Sequence, residues 1–111
     1  MQKEQIVDYY DTCESDYRLL WDLDHSHAMH AGYWDSQTRS LREALKRENE
    51  VLAEIAAIKS RDYVLDAGCG VGGSSIYLAE AYGCHVVGIT LSVKQVQTAT
   101  KKAIQAGVQD K

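Results

Sequence analysis

A glycine-rich stretch near the middle of the chain has the clearest chemical potential. It reads DAGCGVGG from Asp66 to Gly73 and follows the short apolar run 63–65. Glycines allow a tight turn and let backbone N–H groups approach a ligand at the start of a helix. A carboxylate at the end of the preceding strand repels a pyrophosphate but suits a ligand that carries an ammonium or sulfonium group. The stretch therefore predicts a small-molecule site with one acidic anchor, Asp66.

The same glycines also fit a second pattern. Gly68, Gly70 and Gly73 match the G-x-G-x-x-G pattern of dinucleotide-binding proteins. In those proteins an acid about 20 residues further on, at the end of the second strand, holds the ribose hydroxyls. Thr90 stands at that place in this chain. An NAD-dependent oxidoreductase is thus an alternative, although the acidic residue expected at the end of the second strand is missing.

The elements that must position this loop follow from hydrophobic periodicity. The apolar run, the loop, the helical segment SSIYLAEAY and the β-branched run HVVGIT give the order strand, loop, helix, strand. Gly83 is expected to end the first helix, and Ser92 to cap a last helix that ends at Gly107. This alternation predicts an α/β fold with a Rossmann-like parallel sheet. The segment AGVQDK indicates a turn towards a third strand, so we expect N-terminal helices plus two βα units, truncated before strand 3.

The first half of the chain predicts helices on either side of a loop. Residues 4–21 indicate one or two short helices, and residues 25–38 indicate a loop. Residues 40–59 predict a helix that begins with a capping box of Ser40 and Glu43. The residues expected to be buried by this helix and the last one are Leu41, Leu45, Leu52, Ile55 and Ile58, and Val96, Ala99, Ala103 and Ile104.

Two segments of the chain resemble a known family. YVLDAGCGVGGSSIYLAE is similar to the first motif of class I S-adenosylmethionine-dependent methyltransferases, acid-x-G-x-G-x-G, with Asp66, Gly68, Gly70 and Gly72 in register. VVGITLSVKQ resembles a segment of the branch that includes mycolic acid cyclopropane synthases and tocopherol methyltransferases. The likeness extends from about residue 8 to residue 107. It implies two parts, a helical cap and lead-in helix at 1–60 and the first half of a cofactor-binding domain at 61–111.

The resemblance also implies a cofactor and a set of contacts. The cofactor would be S-adenosylmethionine, and the reaction would be methyl transfer to a small-molecule or lipid-like acceptor, with little activity from this part alone. The segment MHAGYWD is similar to one that precedes the core in tocopherol-type members. The resemblance assigns no catalytic base. The residues it implies at the cofactor are Asp66, Gly68, Cys69, Gly70 and Gly72 at the loop, Thr90, Leu91 and Gln95 at the adenosine, and Met29 and His30 near the methionine end.

Several of these residues also have structural interpretations. Gln95 has the spacing to close a capping box on Ser92. The aromatic residues Tyr9, Tyr10, Tyr17 and Trp21 form either a packing stripe or a cage for the sulfonium. His25, His27 and His30 raise a metal hypothesis, but their spacing matches no closed ligand set, so no metal is expected.

Composition narrows the classes of partner. Among 111 residues, 16 acids stand against 12 bases, and residues 1–35 hold eight acids and two bases. An acidic first third disfavours a nucleic-acid partner. No apolar run reaches the ~18 to 20 residues of a membrane span, and no targeting signal is recognised, which predicts a cytoplasmic protein without membrane insertion.

The cysteines and the number of strands bear on disulfides, zinc binding and self-association. Three cysteines without C-x-x-C spacing argue against a disulfide framework or a zinc ribbon. Two strands do not hide both faces and both edges of a sheet, so we expect a homo-oligomer that covers the open sheet edges. A non-catalytic module that self-associates is therefore a further alternative.

Overall fold

A computed structural model describes residues 2–20 and 30–111. The predictions that concern Trp21, His25, His27 and Met29 lie outside these residues. The elements are the helices α1 (Lys3–Leu20), α2 (Leu41–Ala56), α3 (Gly73–Tyr82) and α4 (Val93–Ala106), with β1 (Tyr63–Ala67) before α3 and β2 (His85–Ile89) after it. Within the described ranges, no helix combines the length and hydrophobicity that a membrane crossing requires.

The two strands form the parallel sheet that the sequence predicts. Tyr63 pairs with His85 at one end, and Ala67 pairs with Ile89 at the other. Because the strands are parallel, their carboxyl ends meet at one edge of the sheet, and the glycine loop and Thr90 lie there together. The α/β fold class is confirmed.

Local signals set most of the helix ends. The Ser40 hydroxyl accepts the N–H of Glu43 at 3.2 Å, and the Glu43 carboxylate accepts the N–H of Arg39 at 2.6 Å. The second bond of this capping box thus closes one residue earlier than usual. Gly83 and Gly107 end α3 and α4 in the left-handed conformation, as predicted.

Helix α2 ends three residues before the predicted end because of tertiary packing. Ala57 adopts φ 52° and ψ 43°, a left-handed conformation that is uncommon for a residue with a Cβ atom. The next N–H, from Ile58, donates to Ala53 O at 3.1 Å, as in a Schellman motif. Ile58 then packs against the core cluster of Ala53, Leu78 and Cys84.

Two predictions about the helices are wrong. The N-terminal segment forms one helix of 18 residues instead of one or two short ones. The predicted apolar stripes are also only partly buried, because the helices approach their neighbours through small residues. The buried residues of α2 are Ala44, Leu45 and Ala53, while the members of the predicted stripes that are left exposed are Leu52, Ile55, Val96 and Ile104.

One face of the sheet is covered and the other is open. Val64 and Val86 pack against the core cluster. Side chains alternate along a strand, so their neighbours point to the opposite face. There, the exposed residues are Tyr63, Leu65, Val87 and Ile89. At the outer edge of β2, the Val86 N–H donates to Lys111 O at 2.8 Å.

Candidate functional site

A cavity of about 440 Å³ lies at the carboxyl ends of the two strands. Ligands of open α/β sheets bind at this edge, and the volume falls in the range of small-molecule sites. The lining combines the glycine loop, the segment after β2, one side of α1 and His30. Its members are Ile6, Val7, Tyr10, His30, Asp66, Gly68, Cys69, Gly70, Val71, Gly73, Ser74, Ile89, Thr90, Leu91, Ser92 and Gln95.

Most of the predicted cofactor residues meet at this cavity. Those that line it are Asp66, Gly68, Cys69, Gly70, Thr90, Leu91, Gln95 and His30. Gly72 does not line the cavity. It is buried with φ 86°, and a Cβ atom there would lie 3.0 Å from the Cβ of Ala99 in α4. Gly72 therefore allows the loop to approach α4, which is a packing role that the motif does not distinguish from ligand contact.

The Asp66 carboxylate is held in one orientation by the helix that follows the loop. Its Oδ2 accepts the hydroxyl hydrogen of Ser75 at 2.6 Å. Ser75 lies in the first turn of α3, and both residues are half-buried. The sequence analysis missed Ser75 as part of the site, although its position early in the helix after a glycine loop was a usable signal.

Cys69 is a lining residue with a weakly reactive thiol. Burial raises the pKa of the Cys69 thiol, and the negative charge of Asp66 raises it further. The protonated thiol is a poor nucleophile. Its sulfur also covers Gly88 in β2, where a Cβ atom would lie only 2.9 Å from it.

Several loop amides are used inside the protein. The N–H groups of Gly68 and Cys69 both donate to Ile89 O, at 2.8 and 2.9 Å, and the N–H of Gly72 donates to Cys69 O at 2.9 Å. The glycine pattern indicated that backbone N–H groups of the loop approach a ligand, but these three donate within the protein. Their bonds instead fasten the loop to the end of β2 and fix the shape of the cavity.

At the end of β2, Thr90 and Gln95 bond to each other. The Thr90 hydroxyl donates to Gln95 Oε1 at 2.6 Å, while the Gln95 backbone N–H donates to the Ser92 hydroxyl at 3.2 Å. Ser92 is thus the N-cap of α4, as predicted. The Gln95 side chain does not close the capping box, because it is bonded to Thr90 at the cavity.

Helix α1 supplies a wall of the cavity in which the sequence indicated Tyr10 but not Ile6 or Val7. Ile6, Val7 and Tyr10 contribute the apolar part of this wall. Tyr10 also meets Tyr9 edge to face, with ring centroids 5.2 Å apart, and both remain partly exposed, so this pair is not a buried packing stripe. Of the aromatic residues considered for a cage, Tyr10 lines the cavity and Tyr9 is not among its lining residues, while the side chains of Tyr17 and Trp21 are outside the described part of the chain.

The histidine and cysteine predictions can be compared with the structure in part. His30 lines the cavity, and its Nδ1 lies 2.5 Å from Glu48 Oε2 of α2. In residues 2–20 and 30–111, no group of three or more His, Cys, Asp or Glu side chains has the arrangement of a metal site. All three cysteines are free.

The fold and the site define a Rossmann-like protein with an acidic anchor beside a glycine loop. The sequence profile of the family described as mycolic acid cyclopropane synthetase matches residues 1–111, and the chain belongs to this family. The fold and the family are those of S-adenosylmethionine-dependent methyltransferases.

Two curated relatives illustrate the similarity. A 27-O-demethylrifamycin SV methyltransferase from Amycolatopsis mediterranei is 40% identical over 83 residues, which are 75% of this chain and 30% of the relative. A probable chloroplastic tocopherol O-methyltransferase from Oryza sativa subsp. japonica is 36% identical, over 98% of this chain and 32% of the relative. The chain therefore spans about a third of the length of these two relatives.

Two solved structures show the same architecture. The [4+2]-cyclase SpnF superposes with a TM-score of 0.85 at 27% identity, over 99% of this chain and 40% of the cyclase. A geranyl diphosphate methyltransferase in complex with GPP and sinefungin has a TM-score of 0.79 at 26% identity, over 97% of this chain and 46% of that protein. The cyclase shows that the fold alone does not specify the reaction.

Proposed function

We propose that this chain binds S-adenosylmethionine in the cavity at the carboxyl ends of β1 and β2, as the cofactor-binding part of a methyltransferase. The observation that carries the proposal is the distribution of charge at that edge. Asp66 offers a carboxylate beside the glycine loop, whereas Thr90 and Gln95 offer uncharged polar groups at the next strand. A nucleoside with a cationic tail needs these two environments side by side.

Each lining residue has a role in this proposal. Asp66, oriented by Ser75, accepts hydrogen bonds from the ammonium group of the ligand. Thr90 and Gln95 bond to the ribose, and Leu91, which is half exposed, covers the adenine. Gly68, Cys69 and Gly70 form the wall between these ends. His30 lies at the methionine end, and the same role is proposed for Met29.

The chemistry follows from alignment and from exclusion of water. When bound, S-adenosylmethionine supplies a methyl group on a sulfonium, which an acceptor nucleophile attacks in line. Ile6, Val7 and Tyr10 contribute an apolar wall that excludes water from the cavity. This wall supports a small-molecule or lipid-like acceptor, which we propose for the whole protein.

Calorimetry with S-adenosylhomocysteine tests the proposal directly. We expect the chain to bind it, and Asp66→Asn to raise the Kd by about tenfold or more, because a charge-assisted hydrogen bond to the ammonium group is lost. Asp110→Asn, a change of an exposed carboxylate away from the cavity, is the matched control. Binding of NADH without S-adenosylhomocysteine would overturn the proposal in favour of an oxidoreductase.

Four further predictions belong to the same proposal. Residues 1–60 form a cap and lead-in helix, and residues 61–111 form the first half of the cofactor-binding domain. The chain associates with itself through the open sheet, in the cytoplasm, and transfers little methyl by itself. Robust transfer of a radiolabelled methyl group to a lipid extract would contradict the last point. A dimer by ultracentrifugation without affinity for the cofactor would favour the non-catalytic module.

A further inference from the structure

Helix α1 is fastened to the first turn of α4 by polar contacts between residues that are 81 and 83 positions apart. The Ser92 hydroxyl donates to Asp11 Oδ1 at 2.6 Å. Lys94 Nζ donates to the backbone carbonyl of Asp11 at 3.3 Å. The same ammonium lies 3.0 Å from Glu14 Oε2.

Two of the groups in these contacts are shielded from water, whereas the Lys94 side chain is 51% exposed. Ser92 is 2% exposed and Glu14 is 5% exposed. The other oxygen of Glu14 accepts a hydrogen bond from Arg18 at 2.9 Å, so a cation faces each oxygen of this carboxylate. A buried carboxylate is costly unless it is paired. Of the two cations that pair with Glu14, α4 supplies Lys94, so this pairing is lost when α1 separates from α4.

Ser92 links this contact to the cavity. Its hydroxyl has one hydrogen, which it donates to Asp11, and it accepts the backbone N–H of Gln95. The Gln95 side chain in turn accepts the hydroxyl hydrogen of Thr90. The hydrogen bonds from Asp11 to the Gln95 backbone and from the Gln95 side chain to Thr90 are therefore joined through Gln95 itself, which connects α1 to the end of β2.

The same helix forms the wall of the cavity. Val7 lies one helical turn before Asp11 and lines the cavity with Ile6 and Tyr10. Docking of α1 thus closes one side of the cavity and fixes the first turn of α4, from which Gln95 reaches the ligand.

We infer that Asp11 is a positioning residue that couples the docking of α1 to ligand binding at Thr90 and Gln95 through Ser92. The inference rests on the proposed function, because the ligand is the adenosine cofactor. A ligand that contacts both the α1 wall and Gln95 favours the docked helix, and the docked helix raises the affinity for the ligand by the same factor.

The test combines calorimetry and hydrogen exchange on the 111-residue chain, with S-adenosylhomocysteine as the probe. Asp11→Ala removes the acceptor for Ser92, and Asp11→Asn retains an Oδ1 acceptor. We expect Asp11→Ala to raise the Kd about fivefold or more and to abolish the extra protection of α1 amides on ligand addition. We expect Asp11→Asn to stay within about twofold of the wild type. Asp16→Ala, at an exposed position of the same helix, is the matched control and should change neither quantity.

The outcomes separate the possible failures. If the wild type binds the probe and Asp11→Ala binds it equally well, the coupling is wrong and the proposed function stands. If the wild type does not bind, the proposed function is wrong, and the coupling with it. A purely structural role of Asp11 would lower the protection of α1 equally with and without the probe, which would also contradict the inference.

Lys94→Met keeps the Ser92 bond but removes the cation facing Glu14. We expect a smaller rise in Kd for it than for Asp11→Ala, and an equal or larger rise would count against Ser92 as the link.

Discussion

Cys69 and Asp66 lie on the same side of the cavity, and one alters the chemistry of the other. Burial is the larger cause that raises the pKa of the Cys69 thiol, and the charge of Asp66 is the second. The thiol therefore stays protonated at neutral pH, although it sits in a cavity beside a helix N-terminus, where thiols are often activated. Cys69 therefore lines the cavity as a contact residue, and its thiol is not suited to act as a nucleophile.

The effect of Asp66 on this thiol is measurable. Asp66→Asn removes the negative charge, so the pKa of Cys69 should fall, and its alkylation by iodoacetamide at pH 8 should become about two to three times faster. Mass spectrometry of the Cys69 peptide measures the rate, with the Cys13 peptide as an internal reference. Glu80→Gln, at an exposed position of α3, should leave the rate unchanged. A slower reaction in Asp66→Asn would contradict this account.

Among the elements, the sequence predicted those whose signals are local. The order of strands and helices and the caps at Ser40, Ser92, Gly83 and Gly107 were predictable because each depends on residues within one or two turns. The end of α2 was not, because Ala57 is left-handed only where Ile58 packs into the core. The burial of residues in α2 also depends on how closely the helix approaches the elements packed against it. Hydrophobic periodicity gives no information on that distance.

The loop after residue 29 depends on one glycine. Gly32 has φ 78°, and a Cβ atom there would lie 2.6 Å from the carbonyl carbon of Ala44 in α2. Gly32→Ala should therefore reduce the free energy of unfolding by about 2 to 4 kcal/mol, from backbone strain and overpacking together. Gly107→Ala is the control, since φ is 72° but no atom lies within 4 Å of the added Cβ, so only a loss of about 1 kcal/mol is expected. Urea unfolding compares the two; equal losses would show that the contact with Ala44 is unimportant.

The same loop is fastened to α2 by an ion pair. Arg47 Nε donates to Asp35 Oδ2 at 2.8 Å, and the Gln37 N–H donates to Asp35 Oδ1 at 2.8 Å. The hydrogen bond from Arg47 is the main cause that holds the pKa of Asp35 below its ordinary value of 3.8, and the Gln37 amide is the second.

This pKa shift gives a pH dependence with a definite sign. Below pH 3.8 the unfolded chain takes up a proton at Asp35 before the folded chain does, so the contribution of Asp35 is present above that pH and is lost as the pH falls. Asp35→Asn should be less stable than the wild type at pH 6, and the difference should shrink towards pH 3. Thermal unfolding across this range measures it. A difference that stays constant with pH would show that charge is not the cause.

At the scale of the whole molecule, the unpredictable features are the long-range ones. The contact between Asp11 and Ser92 joins residues 81 positions apart, and nothing in the local sequence around either one indicates the other. Ile6 and Val7, which line the cavity from α1, were missed for the same reason. The open face of the sheet, in contrast, could be predicted from the number of strands. A parallel sheet normally has both faces covered, and two strands with these helices are too few elements to do so.

The sequence predicts a homo-oligomer that covers the open sheet edges, and we propose that the open face of the sheet belongs to the same interface. Leu65 and Val87 are paired across the sheet and are 63% and 58% exposed. Val87→Lys should weaken self-association by about tenfold, because burial of a charge at an interface is costly. Leu19→Lys, at an apolar residue that is 84% exposed on α1, is the control and should leave association unchanged. Sedimentation velocity over a range of concentrations measures both; equal effects would place the interface elsewhere.

The pairing register of the two strands also has a directional consequence. Asp66 lies opposite Gly88, one residue before the end of β1, and Thr90 directly follows β2. The charged and the neutral groups therefore sit on adjacent strands, with Thr90 two residues beyond the partner of Asp66. A ligand with a cationic group at one end and an uncharged sugar at the other binds more tightly in the orientation that places its cation beside the carboxylate. The reverse orientation would move the cation away from the carboxylate and weaken binding. Under the proposed function, the register of these two strands thereby sets which way round the cofactor lies in the cavity.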